Sequence, residues 1–264
     1  LEHMMFKGTE KRPTAHDISK ELDGIGAEYN AFTGKEYTGY YAKVAATHAE
    51  TALDVVSDIF MNAKLEQAEI DRERGTILQE LNMYEDMPMR HINDLWEMHL
   101  YGDHPLGWEI IGTKENIGSF KRADFVKYLR RGYVPENVVV GIAGNFDSKK
   151  MKKEIEARFG HIGHGKKPVS KKANDKQSAP GLFIQTKKTD QTHMILGVRA
   201  YDMWSQDRFA LSVLATLLGG GMSSRLFIQV RERRGLAYSV HTGVDTYIDA
   251  GYLATQVGVE HKNL

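Results

Sequence analysis

The sequence contains no cysteine. Disulfide bonds, thiolate nucleophiles and cysteine-based metal sites are therefore excluded together. Any metal ligands must come from histidine and from carboxylate side chains. The sequence also lacks a run approaching the roughly 18 consecutive apolar residues of a membrane-spanning helix. We therefore predict a protein that is not embedded in a membrane.

The chain has no net charge at neutral pH, because 35 Lys and Arg residues balance 35 Asp and Glu residues. No overall electric field attracts nucleic acid or an anionic membrane surface, so we predict neither as a partner. The composition, 41% hydrophobic and 27% charged, is typical of a soluble globular protein.

The initial methionine is absent, and the first six residues have the pattern of the interior of an amphipathic helix. At the other end, the sequence stops directly after a strand-like run. We interpret both ends as cuts within a longer chain, which leaves open whether a leader peptide preceded it.

Hydrophobic periodicity predicts an α+β fold. Helices are predicted at 14–26, 48–62, 66–85, 92–100, 123–131, 148–159, 206–218 and 223–233, and strands at 27–33, 38–45, 137–143, 182–186, 192–199, 236–244 and 252–259. This order of helices and hairpins favours antiparallel sheets packed with helices over a doubly wound parallel sheet.

The composition changes at residues 163–180, which are rich in Lys, Ser, Pro and Gly and have almost no large apolar side chain. Such a segment is typical of a linker. We predict a first domain at 1–162 and a second, incomplete domain at 181–264. Gly26-x-x-Tyr29 precedes one predicted hairpin and Gly235-x-x-Tyr238 precedes the other. This similarity favours two related domains.

Two pairs of residues indicate metal chemistry. Glu2 and His3 are adjacent in a helical pattern, and Glu73 and Glu80 lie seven residues apart in the predicted helix 66–85. Seven residues are close to two helical turns, so these two carboxylates share one face. The alternative is that both belong to the solvated face of a charged helix.

The adjacent Glu2 and His3 match the end of the inverted zinc motif H-x-x-E-H. In that motif two His residues on one helix face bind the metal, and the Glu beside the second His is the general base. The first His of the motif would fall two positions before Leu1.

Five segments spread along the chain match motifs of one peptidase family. They are Leu-Glu-His-Met-Met-Phe-Lys-Gly-Thr at 1–9, Asn-Ala-Phe-Thr at 30–33, Glu-x-x-Arg-Glu-x-x-x-Ile-Leu-x-Glu at 69–80, Leu-Gly-Gly-Gly-Met-Ser-Ser-Arg-Leu at 218–226 and Arg-Glu-Arg-Arg-Gly-Leu-Ala-Tyr at 231–238. The chain resembles the pitrilysin or insulinase family of zinc peptidases, and most closely its processing-peptidase branch. The number of residues between His3 and Glu80 is similar to that between the corresponding residues in the family.

The resemblance implies roles for individual residues. His3 and Glu80 would be Zn²⁺ ligands, Glu2 the general base, and Glu73 a carboxylate that orients a ligand without itself binding the metal. Zn²⁺ is the only cofactor that it implies.

Substrate contacts are implied as well. Asn30, Ala31, Phe32 and Thr33 would form an edge strand that binds an extended peptide through main-chain hydrogen bonds. Arg231 and Tyr238 would contact the substrate from the second domain. The alternative for Tyr238 is a half-buried aromatic residue of a strand.

The implied function is that of a zinc-dependent endopeptidase or oligopeptidase acting on extended or unfolded polypeptides. We expect a bacterial cytoplasmic location, with mitochondrial and periplasmic locations left open, and a homodimer or heterodimer. The alternative is a non-catalytic processing-peptidase-like subunit that serves as a scaffold or presents substrate. Three retained metal-site residues favour the enzyme. Because the first His is not among the 264 residues, we expect this chain alone to bind zinc weakly or not at all, and therefore to be inactive.

Overall fold

The computed structural model describes residues 1–174 and 176–264 and divides into two compact units. The first comprises Leu1–Gln79 and Gly112–Ser170, and the second comprises Glu80–Ile111 and Lys171–Leu264. The step from Ser170 to Lys171 falls inside the predicted linker 163–180, whereas the sequence did not indicate that 80–111 groups with the second unit. The division into 1–162, 163–180 and 181–264 stays a prediction, and residue 175 of its linker lies outside the described residues.

Helices and antiparallel hairpins build both units, which confirms the predicted α+β class. The helices are α1 (Glu2–Met5), α2 (Ala15–Asp23), α3 (Ala49–Asn62), α4 (Gln67–Glu85), α5 (Pro88–Tyr101), α6 (Lys114–Ser119), α7 (Arg122–Gly132), α8 (Ser148–Phe159) and α9 (Arg208–Gly219). The strands are β1 (Glu28–Thr33), β2 (Thr38–Lys43), β3 (Thr192–Arg199), β4 (Ala237–Thr246) and β5 (Gly251–Val259). Within the described residues, no helix is both long and apolar enough to cross a membrane.

In the first unit, β1 and β2 pair antiparallel, with Asn30 opposite Tyr41. Tyr29 and Ala42 pack against a buried cluster from α2 and α3 that consists of Ile18, Leu22, Val55 and Ile59. The ring of Phe32 covers Gly39 on the facing strand, where an added Cβ atom would lie only 2.2 Å from the ring. A side chain at position 39 would therefore displace the Phe32 ring from this strand.

Helix α1 depends on tertiary packing, because a four-residue helix has no stability of its own. Met4 and Met5 are almost completely buried. Met4 packs with Leu65 and Ile70, next to apolar side chains of α7. These contacts hold the helix that carries Glu2 and His3.

The second unit contains a three-stranded antiparallel sheet in the order β3-β5-β4. Leu100, Tyr101 and Leu106 form a core with Ala250 and Tyr252 of the β4–β5 hairpin. A second core lies beside a π-helical turn at Phe227–Glu232, where Phe227 packs with residues of β4 and β5. This turn lies within the helix predicted at 223–233.

Two predicted strands do not form ladders. Segments 137–143 and 182–186 pair with no strand in the part of the chain that the structure describes. Val139 is 94% exposed and Leu182 is 82% exposed, so 137–143 is not the buried strand that its apolar sequence predicts and 182–186 is not the predicted strand. The physical reason is that β propensity reflects packing against neighbouring strands, which these segments lack.

The sequence similarity before the two hairpins has a backbone counterpart. Gly26 has a φ of +65° and Gly235 a φ of +59°, and each lies two residues before a strand. Both conformations are in the left-handed region, which glycine adopts without steric cost. The two hairpins are thus entered through the same kind of turn.

Arg12 ties the loop after α1 to α2 and α3. Its guanidinium group is almost fully buried and donates two hydrogen bonds of 2.7 Å to Glu21. It also donates to Asp54 at 2.6 Å and to Asp58 at 2.8 Å. Burial alone would lower the pKa of Arg12, but these three carboxylates raise it. The Thr9 hydroxyl adds a 2.6 Å hydrogen bond to Asp58.

Removing Arg12 should strongly destabilise the chain. In Arg12→Met the buried Asp58 carboxylate loses its cation, and breaking a buried ion pair in this way costs about 3–5 kcal/mol. The measurement is the free energy of unfolding from urea titration. Lys11→Met is the matched control, because exposed Lys11 contacts the same Asp54 and should cost less than about 1 kcal/mol. Equal losses in both variants would contradict the assignment.

Candidate active site

His3 is oriented by a buried carboxylate. Its Nδ1 lies 2.7 Å from Oε1 of Glu73 in α4, and Nζ of Lys7 forms an ion pair with the other oxygen of the same carboxylate. A proton on Nδ1 makes this contact a hydrogen bond to the carboxylate. The lone pair then lies on Nε2, which is the form of imidazole that binds zinc.

The charge of Glu73 is set by competing effects. Its side chain is only 7% exposed, and burial alone would raise its pKa. Hydrogen bonds from Lys7 and His3 outweigh burial, so the pKa lies below its ordinary value. Glu73 is therefore ionised at neutral pH and can accept a hydrogen bond from Nδ1 of His3. This geometry excludes the alternative that Glu73 belongs to a solvated helix face.

Glu2 lies beside the end of β1, because the Thr33 hydroxyl donates a hydrogen bond to its carboxylate. The predicted general base and the last residue of the predicted substrate strand are thus in contact. Phe32 and Thr33 are exposed, and Asn30 is exposed one residue before half-buried Ala31. All four predicted substrate-binding residues lie in β1.

The outer edge of β1 carries main-chain groups that do not face β2. The Gly34 N–H donates to the Tyr37 carbonyl across the hairpin. Antiparallel alternation then turns the N–H groups of Ala31 and Thr33 away from β2. The Ala31 N–H accordingly meets the side-chain oxygen of Asn30 at 2.9 Å. In the described residues β1 pairs only with β2, so this is an edge strand.

Glu80 lies on α4, seven residues after Glu73, within the second unit. The hydroxyl of Tyr84 donates a hydrogen bond to its carboxylate and the guanidinium of Arg90 lies 3.6 Å from the centre of the Tyr84 ring. The pKa of Tyr84 is raised above its ordinary value. The hydrogen bond to Glu80 is the main cause, and partial burial of Tyr84 adds to it. Tyr84 therefore stays a hydrogen-bond donor.

Arg231 and Tyr238 are neighbours in the second unit. The Arg231 guanidinium carbon lies 4.8 Å from the centre of the Tyr238 ring and 4.8 Å from that of Phe227. Tyr238 is 79% exposed, which excludes the alternative of a half-buried strand residue. The predicted pair therefore presents an exposed hydroxyl beside a cation.

Some of these side chains are suited to hold a zinc ion. His3 with its carboxylate partner fits the arrangement of a zinc-binding imidazole. Glu80 supplies a suitable oxygen ligand. The described portion of the chain contains no group of three or more His, Asp or Glu side chains that could hold a metal. His3 and Glu80 are therefore residue types that bind zinc, and the His3 ring has the orientation of a zinc ligand. Together they are fewer than the ligands that a zinc site needs.

Two supporting residues were missed at the sequence level. Lys7 follows His3 by four residues and Tyr84 follows Glu80 by four residues. Residues four apart on a helix lie on one face. That spacing is the signal that could have identified Tyr84, which lies with Glu80 on α4. It is weaker for Lys7, because α1 ends at Met5.

Glu73 should make the protein sensitive to acid. Since its folded-state pKa lies below the ordinary value, its stabilising contribution is complete above that ordinary value and is lost as pH falls through the folded-state pKa. We expect the free energy of unfolding to fall less steeply with decreasing pH in Glu73→Gln than in the wild type. Urea titrations at several pH values measure this slope.

Lys7→Met is the second variant for the same measurement. Without the ammonium group, burial raises the Glu73 pKa, so the acid sensitivity should again decrease. A slope as steep as that of the wild type in both variants would show that Glu73 is not stabilised as an anion.

Comparisons with known proteins agree with the motifs. Residues 1–114 match the family described as insulinase (peptidase family M16), and residues 119–264 match the peptidase M16 inactive domain. The chain is 40% identical over 257 residues to an uncharacterized zinc protease of Mycobacterium leprae, covering 96% of this chain and 58% of that protein. It is 39% identical to an uncharacterized zinc protease of Bacillus subtilis, covering 100% of this chain and 64% of that protein. The chain thus spans less than two thirds of the length of these relatives.

Solved structures show the same fold. A protease from Helicobacter pylori superposes with a TM-score of 0.90 at 21% identity, covering 98% of this chain and 63% of that one. The peptidase M16 inactive domain from Pseudomonas fluorescens gives a TM-score of 0.85 at 19% identity, with the same coverage. From the two family matches, which together extend over nearly all 264 residues, the chain belongs to the insulinase family of peptidases, family M16.

Proposed function

We propose that these 264 residues are part of a zinc-dependent endopeptidase or oligopeptidase that hydrolyses peptide bonds in extended or unfolded polypeptides. The observation that carries the proposal is the buried, ionised Glu73 held against Nδ1 of His3, beside Glu2. A histidine fixed in this way is of little use to a scaffold, whereas it is what a zinc-binding histidine requires.

The proposed zinc ligands are His3 and Glu80, with the first His of the inverted motif as the remaining protein ligand. Bound zinc would polarise the scissile carbonyl group and acidify the attacking water. Glu73 and Lys7 orient His3, and Tyr84 orients Glu80 through its hydroxyl.

Glu2 is the proposed general base. Its carboxylate takes a proton from the attacking water and passes it to the leaving amine. The hydrogen bond from Thr33 holds the carboxylate beside the end of β1, so the base is positioned at the strand that would bind the peptide. This contact links substrate binding to proton transfer within one unit.

The peptide is proposed to bind as an added strand along β1. Main-chain pairing gives affinity with loose sequence preference, which suits extended or unfolded substrates. The peptide has to displace the Asn30 side chain from the Ala31 N–H. Arg231 and Tyr238 are proposed to donate hydrogen bonds to substrate carbonyl groups. We further propose a bacterial cytoplasmic location and assembly as a homodimer or heterodimer.

The second candidate is a non-catalytic, processing-peptidase-like subunit that presents substrate. The observation in its favour is the match of residues 119–264 to a domain described as inactive. Zinc content and peptide hydrolysis, measured on the same full-length sample, separate the two candidates.

Glu2→Gln should abolish peptide hydrolysis without removing zinc. Loss of a general base typically lowers the rate by about 10²- to 10⁴-fold, while a glutamine of the same shape leaves the ligands in place. The measurements are kcat/KM on a fluorogenic extended peptide and zinc content by atomic spectroscopy, both on full-length protein. Glu10→Gln is the control, because Glu10 is an exposed carboxylate in the following loop. Unchanged hydrolysis in Glu2→Gln would refute the proposed role.

Ala31→Pro should weaken peptide binding while keeping the hairpin. Proline removes an N–H that faces the open edge, so the β1–β2 ladder is retained but one bond to the peptide is lost. One hydrogen bond is worth about 1 kcal/mol, so kcat/KM should fall about fivefold. Ala31→Val retains the N–H and should behave like the wild type. Equal values for both variants would exclude strand addition at this edge.

A further inference from the structure

A groove in the first unit is lined mainly by residues that have no part in the proposed chemistry, although Thr33 also lines it. It has a volume of about 730 Å³. Apolar side chains of α3, among them Leu53, Val56 and Phe60, line it together with β2 and with the segment 137–146. The groove therefore has an apolar helical lining and two stretches of backbone along it.

The β2 side of the groove carries unpaired main-chain groups. Residues 39, 41 and 43 exchange hydrogen bonds with β1, as the pairing of Gly34 with Tyr37 and the alternation of an antiparallel ladder require. The N–H and carbonyl groups of Thr38, Tyr40 and Ala42 therefore point away from β1. Within the described residues, β2 has no second partner strand.

The other side of the groove is the segment that the sequence predicts to be a buried strand. Val138 has extended backbone angles, with φ of −120° and ψ of 134°. Burial alternates along the segment: Val138, Val140 and Ile142 are half-buried, and the residues between them are exposed. This two-residue period is that of a β-strand. The segment thus has the sequence and the alternating burial of a β-strand, but no strand pairs with it in the described residues.

We propose that the groove binds a β-strand from the same full-length protein, supplied by residues outside these 264. The strand would pair with β2 and complete a sheet that extends toward 138–143. Its apolar side chains would face α3, and its alternate side chains would face away. This assignment does not depend on the proposed peptidase activity.

The choice of occupant follows from the chemistry of the groove. Two unpaired backbones need a partner that offers main-chain donors and acceptors along its edges, which a strand does and a helix does not. The curated relatives extend well beyond the matched region, since the chain covers 58% and 57% of two of them. A strand within the same protein also avoids the entropy cost of association that a separate peptide incurs.

Amide hydrogen exchange on the full-length, metal-free protein tests the proposal. The N–H groups of Thr38, Tyr40 and Ala42 should exchange at least about tenfold more slowly than in the 264-residue chain, as should every second N–H group of residues 139–143. Those of Gly39, Tyr41 and Lys43 are the internal control, because they already bond to β1 and should be protected in both proteins.

The outcomes are distinct. Fast exchange at Thr38, Tyr40 and Ala42 in the full-length protein would overturn the proposal, whether or not the shorter chain is stable. Protection that develops in the 264-residue chain as its concentration rises would identify a second copy as the occupant and would also overturn it. Because no zinc or substrate is present, the result is independent of catalysis.

Discussion

The buried guanidinium of Arg12 is the constraint on which the first unit depends. A cation removed from water is tolerated only where anions surround it, and here Glu21, Asp54 and Asp58 do so from α2 and α3. The loop between α1 and α2 is thereby fixed to the helices beneath the hairpin. Gly8 in the same loop has a φ of +126° and leaves no room for a Cβ atom against the Pro13 carbonyl. The ion pairs of Arg12 and the close approach of Gly8 to Pro13 thus both restrict the conformation of the loop.

The buried carboxylate of Glu73 depends on the position of α1, which precedes the loop that Arg12 holds. Once α1 is held in place, Lys7 and His3 reach the two oxygens of Glu73, which compensates the cost of burying that carboxylate. His3 is then restrained by a charged hydrogen bond, and Glu2 meets Thr33 at the end of β1. Ion pairing in the core therefore leads, through a short helix, to the geometry of the candidate active site.

The β1–β2 hairpin has two edges with different surroundings. The edge of β1 is open to solvent, and the Asn30 side chain occupies its Ala31 N–H, which suits a ligand that binds reversibly. The edge of β2 borders an apolar groove, which suits a permanent strand. Unpaired strand edges promote aggregation unless they are covered or protected. The same two-stranded element thus has one edge open to solvent and one edge beside a groove that apolar side chains of α3 line.

The sequence by itself determined most of the helices, the two hairpins and the family, although it did not indicate α6 (Lys114–Ser119). Period-3.6 patterns located α3 and α8, period-2 patterns located β1 and β2, and both depend on local residue order. It also predicted Glu2, His3, Glu73 and Glu80 as one set of site residues, through the resemblance of their motifs to those of the peptidase family.

Only the tertiary structure decided what surrounds those residues. It showed that Lys7 shares Glu73 with His3, that Tyr238 is exposed, and that 80–111 groups with the second unit. It also showed that 137–143 has no partner strand. The reason is physical: burial, ion pairing and strand pairing depend on neighbours distant in sequence, which hydrophobic periodicity does not encode.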